Sequence, residues 1–125
     1  MSNSGEMMRI VIKGIEGSSH GKLRGYMPDD PAVFHEFVAV KIGEKPGKGA
    51  DDFFIRVATP AGLAALEDQQ GVIASRPLLV MREYNFEDLM TWLDSTVSSC
   101  QGDSWSASVE KLRRFFDWEY DASHA

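Results

Sequence analysis

The chain has 125 residues, 43% apolar and 26% charged, with a formal net charge of −6 and a single cysteine. That length and composition hold one globular domain around one hydrophobic core and lie outside the range of disordered chains. They exclude an internal disulfide, and no stretch approaches the roughly 20 apolar residues that cross a bilayer.

The first half reads as strands. Met8, Ile10 and Ile12 alternate with Arg9 and Lys13, giving one apolar face at period two with Val11 out of pattern. Residues 22–26 form a short edge strand in which Lys22 and Arg24 guard an open edge against another chain. Within residues 34–42, Val38, Val40 and Ile42 share one face while Phe37, Ala39 and Lys41 take the other. Residues 44–52, broken by Pro46, Gly47 and Gly49, are a solvated loop. Phe53, Ile55 and Val57 then alternate with Phe54, Arg56 and Ala58, which completes an antiparallel meander.

At Thr59-Pro60 the period changes. Threonine accepts from a backbone N–H of the first helical turn, and proline suits the first helical position, so a short helix runs from Pro60 to about residue 69 and Gly71 ends it. Residues 77–83 carry Leu78, Leu79, Val80 and Met81, apolar on both faces, and read as the central, buried strand. Asn85 caps the next helix, with Glu87 and Asp88 at the positive end of its dipole. Phe86, Leu89, Met90, Leu93 and Val97 make its apolar stripe, which reaches about Ser99. After Gly102, Asp103 or Ser104 starts a last helix on which Trp105, Val109, Leu112 and Phe116 recur at helical spacing. The expected fold is α+β, a mainly antiparallel sheet of four to five strands with a short helix and two C-terminal helices packed on it. It forms one domain over residues 1–125, with loose ends at 1–6 and 122–125.

Residues that could carry chemistry mostly lack the partners that chemistry needs. His20, His35 and His124 show no metal-ligand spacing, so no metal and no cofactor is expected. Gly43 to Gly49 resembles a phosphate loop only superficially, because no Ser or Thr follows its lysine and a strand follows instead of a helix. Cys100 sits near a helix end whose negative pole raises a thiol pKa, and it reads as inert. The pairs Asp29-Asp30, Asp51-Asp52, Glu67-Asp68 and Glu87-Asp88 diverge from one another and read as solvated. No catalytic residue is assigned, and the chain is expected not to be an enzyme. Trp118 is assigned to the core, while Tyr120 is open between core and interface anchor.

The charge is uneven. Residues 1–82 carry ten acids and ten lysines or arginines, whereas residues 83–125 carry nine acids against Lys111, Arg113 and Arg114. An acidic region repels phosphate backbones and draws basic partners, which argues against nucleic acid as a direct ligand. The N-terminal Met1 to Glu6 lacks the basic and apolar regions of a secretion signal, and with one cysteine this sets the expected compartment as the cytoplasm.

Four segments in order carry a resemblance. They are Phe54-Ile55-Arg56-Val57-Ala58-Thr59-Pro60-Ala61-Gly62-Leu63, Leu78-Leu79-Val80-Met81, Cys100-Gln101-Gly102-Asp103-Ser104-Trp105, and Lys111-Leu112-Arg113-Arg114-Phe115-Phe116-Asp117-Trp118-Glu119-Tyr120. Together they resemble immunity protein family 8 over about residues 53–121; the first 50 residues add only compatible strands. The resemblance implies a cytoplasmic partner of a bacterial polymorphic or contact-dependent growth-inhibition toxin, which binds the toxin's C-terminal domain and blocks it. It supplies no catalytic residues, and it implies that Trp105, Trp118 and Glu119 hold the fold.

Three functions from different classes follow. The first is an acidic inhibitor of a basic toxin domain, with a nuclease the activity that charge favours, binding through Glu83, Glu87, Asp88, Asp94, Asp117, Glu119 and Asp121. The second is an adaptor that takes up a partner through an exposed sheet edge. The third is a small enzyme, which would require convergent polar groups around His35.

Overall fold

Alternating apolar residues in the first half become one sheet. In a computed structural model, which describes residues 8–74 and 77–121, the chain forms β1 (Arg9–Gly17), β2 (Gly21–Lys22), β3 (His35–Lys45), β4 (Asp51–Ala58), α1 (Pro60–Gln70), β5 (Leu78–Val80), α2 (Phe86–Ser99), α3 (Trp105–Leu112) and β6 (Asp117–Trp118). The strand order is β2-β1-β3-β4-β5, and β6 pairs with the opposite end of the same edge of β4. The architecture is the expected α+β sheet with three helices. The expected loose ends, residues 1–6 and 122–125, lie outside the described residues.

Each strand turns one side chain in two toward the helices. Val38, Val40 and Ile42 of β3 meet Phe53, Ile55 and Val57 of β4, and all six are buried. In β1 the register shifts between Ile12 and Gly14. That extra residue resets the parity, so Ile15 faces the same side as Ile10 although the two are five apart. Leu89, Leu93 and Val97 of α2 and Val109 and Leu112 of α3 complete this core. Burying a side chain such as Phe53 or Leu89 contributes about 1.5–3 kcal/mol.

Four expectations change. Residues 22–26 do not form a strand; β2 is the two-residue arm of a hairpin with β1, turned through Gly21 at φ 68°. The sheet is no simple meander, because β3 returns beside β1 and leaves β2 outside. The strand at 77–83 is not central. It is the three-residue β5, parallel to β4 at the sheet's outer edge, with Leu78 41% and Val80 48% exposed. The crossover through α1 carries the chain to the only side of β4 that β3 leaves open. Finally, α3 ends at Leu112, not Phe116. Phe116 still reaches the core, because its N–H bonds to the Leu112 carbonyl at 3.0 Å in a terminal turn.

Thr59 joins the sheet to α1. Its hydroxyl accepts from the N–H groups of Gly62 and Phe34, each at 3.0 Å, and donates to the Ala32 carbonyl at 2.7 Å. Gly62 lies so close to the Phe34 backbone that no side chain fits there.

Candidate functional site

The seven acids singled out by charge fall into two environments. Glu83, Glu87, Asp88 and Asp94 are exposed, on α2 and the turn that leads into it. Asn85 Oδ1 accepts from the Asp88 N–H at 3.0 Å, fixing the helix start and presenting Glu87 and Asp88 from its first turn. Among the described residues, no ion pair engages any of the four.

Asp117, Glu119 and Asp121 are half-buried. Asp121 meets Arg113 at 2.8 Å, and this bond holds the guanidinium above its ordinary pKa. Glu119 Oε2 accepts from the Asp52 N–H at 2.7 Å. Asp117 lies in β6, paired with Phe54. Two of these three carboxylates therefore bond to the chain itself.

A groove of about 710 Å³ runs between β5 and α2. Leu79, Leu89 and Trp92 supply its apolar walls, and Arg82, Glu83 and Asp88 its charged ones. Trp92 is half-buried against Phe116, edge to face. The sheet's other face carries a stack of Phe37 on Phe54 with centroids 5.5 Å apart, and the Arg56 guanidinium lies 5.6 Å above the Phe37 ring.

One polar cluster escaped the sequence reading. Glu36 is 2% exposed. Its Oε2 accepts from the N–H groups of Ser19 at 2.6 Å and His20 at 3.3 Å, and its Oε1 stands 3.1 Å from His20 Nδ1. These bonds offset the cost of burying a carboxylate and pin the β1–β2 turn to β3. Gly17 leaves the room; any side chain there would strike the carboxylate. The signal was a glutamate on the same face as Val38, Val40 and Ile42. Beside it, His20, Tyr26, Phe34 and Tyr84 pack ring against ring, with Phe34 and Tyr84 centroids 4.3 Å apart. Among the described residues the buried Tyr84 hydroxyl has no hydrogen-bond partner, and burial, together with Tyr26, pushes its pKa up to about 12.

Several of the motif residues turn inward, whereas Leu78, Val80, Phe115 and Tyr120 are exposed. Gln101 Oε1 accepts from the Ile10 N–H at 2.8 Å, and Ser108 Oγ accepts from the Gly102 N–H at 2.8 Å. Trp105 and Trp118 flank Phe53, and the Trp118 indole N–H donates to Asp51 at 3.0 Å. Trp118 is thus half-buried against the core, whereas Tyr120 is 65% exposed. Cys100 is buried, and desolvation raises its thiol pKa. The Gly43 to Gly49 loop closes around the Lys13 ammonium, which donates to the carbonyls of Glu44, Gly47 and Gly49 at 2.9, 2.6 and 3.0 Å. Among the described residues, no three His, Cys, Asp or Glu side chains gather as a metal site, and no helix is long and apolar enough to cross a membrane.

The helices thus close over one face of the sheet, with α2 burying Leu89, Leu93 and Val97 while its acids Glu87, Asp88 and Asp94 stay exposed. Residues 10–122 match the family described as Immunity protein 8, and the chain belongs to that family. It is an immunity protein, and its partner is a cognate toxin. The match begins in β1, so it takes in the strands of the first half as well as the segments after residue 53. No curated protein and no solved structure matches the chain.

Proposed function

We propose that the chain neutralises a basic, nucleic-acid-cleaving toxin domain in the cytoplasm of the producing cell by covering its substrate-binding surface. The observation that carries this reading is the set of four exposed acids, Glu83, Glu87, Asp88 and Asp94, that no ion pair among the described residues engages. A domain that holds phosphate presents positive charge. An acidic inhibitor meets that charge and associates fast, up to about 10⁸–10⁹ M⁻¹s⁻¹ with electrostatic steering. Glu119 and Asp121 serve the fold in this reading, and Asp117 stands at the margin of the surface.

Charge reversal at Glu87 and Asp94 tests it. The variant slows association with the toxin domain about tenfold at low salt, and the difference from wild type shrinks as salt rises. Unchanged association and unchanged salt dependence would place the interface elsewhere. A second reading, docking through a sheet edge, is favoured by the exposed β5.

A further inference from the structure

The two edges of the sheet are unlike. At one, β2 is two residues long, ends at Lys22 and is followed by Arg24, which guards against pairing with another chain. At the other, β5 is three residues long and the side chains it exposes, Leu78 and Val80, are apolar. Among the described residues, no strand pairs the outer side of β5.

The parallel ladder fixes which main-chain groups face outward. Arg56 N–H bonds to the Pro77 carbonyl at 3.1 Å, and Met81 N–H bonds to the Ala58 carbonyl at 2.8 Å. Residues of a strand alternate in the direction of their hydrogen-bonding groups, so Leu79, registered with Val57, turns both groups toward β4. Leu78 and Val80 therefore present their N–H and C=O groups at the open edge. A strand laid there would send alternate side chains to opposite faces. Half would lie beside Leu78 and Val80, and half would enter the groove of about 710 Å³ between β5 and α2. That groove has Leu79, Leu89 and Trp92 as apolar walls, with two carboxylates, Glu83 and Asp88, against the single cation Arg82.

We propose that the outer edge of β5 takes up an extended strand of the toxin, and that a lysine or arginine on that strand enters the groove to meet Glu83 and Asp88. The proposal rests on the immunity reading and specifies how the partner docks. Main-chain pairing supplies affinity, and the groove selects the side chain. A second copy of this chain is the poorer occupant: it brings a further net charge of −6 and offers no excess of cations to the same groove.

Amide hydrogen exchange on the full chain, alone and in complex with its cognate toxin domain, tests the proposal. The amides of Leu78 and Val80 exchange fast in the free chain and slow at least tenfold in the complex. Val80→Pro removes an outward N–H without touching the ladder to β4, and Glu83→Lys reverses a charge in the groove; each weakens binding about tenfold or more. A complex in which Leu78 and Val80 exchange as they do in the free chain would overturn edge docking and leave the immunity reading intact. Protection of the two amides in the free chain, together with a dimeric mass, would assign the edge to a second copy and overturn the proposal. Absence of any complex with wild type would overturn the immunity reading itself, and edge docking with it.

Discussion

Glu119 and Asp52 hold each other twice: the Glu119 N–H donates to the Asp52 carbonyl at 3.0 Å, and the Asp52 N–H donates to the Glu119 carboxylate at 2.7 Å. The reciprocal bonds close the C-terminal segment onto the start of β4, next to the indole bond from Trp118 to Asp51. An acid that composition alone assigns to a binding face is a clasp.

Glu119→Ala leaves the Asp52 N–H without that partner and destabilises the chain by about 1–2 kcal/mol. Urea denaturation reads the loss as a lower midpoint at unchanged slope. Association with the toxin domain stays at the wild-type rate, which separates a clasp from a contact.

Thr59→Val keeps the shape of the side chain and removes the oxygen that serves Gly62, Phe34 and Ala32. The site is fully buried, so the orphaned backbone groups cost about 2–3 kcal/mol, again read from the urea midpoint. Thr59→Ser, which retains the oxygen, recovers most of the loss.

The Tyr84 phenol is 5% exposed and titrates near 12, above its ordinary value of 10.0, because burial disfavours the phenolate and Tyr26 adds to the shift. Between pH 10 and about 12 the unfolded chain releases this proton while the folded chain keeps it. Stability therefore falls across that window, by roughly 2–3 kcal/mol. Tyr84→Phe removes this contribution to the alkaline loss, and at pH 7 it is neutral or stabilising because the hydroxyl it deletes has no partner among the described residues. Denaturant midpoints measured at pH 7, 10 and 12 for both proteins check the sign.

Cys100 is buried, and desolvation holds its thiol above the ordinary range. Iodoacetamide at pH 8 modifies the folded chain slowly and the urea-unfolded chain fast. Equal rates in the two states would show that the side chain is accessible.

Much of the fold was legible because local rules and packing agree. Thr59-Pro60 announces α1, Asn85 with Glu87 and Asp88 announces α2, and the alternation of residues 53–58 announces β4. What sequence could not show depended on relations between distant segments. An apolar run such as residues 78–81 reads alike in a central strand and in an edge strand that borders a groove, and only the crossover through α1 decides between them. The parity change in β1 is set by a bulge opposite β3. At the site, the exposed acids of α2 were visible as a charge pattern, but charge alone did not divide them from Glu119 and Asp121; only the family resemblance gave Glu119 to the fold, and nothing did so for Asp121. That division rests on Asp52 and Arg113, which sequence places 67 and 8 residues away.

The most direct measurement of the central claim is growth of cells that express the cognate toxin domain, with and without the chain. Growth is restored by wild type and by Glu119→Ala wherever that variant folds, and restored poorly when Glu83, Glu87, Asp88 and Asp94 are all changed to lysine in a chain that remains folded. Full protection by that fourfold variant would contradict the assignment of the acidic surface, and failure of folded wild type to protect would contradict the account as a whole.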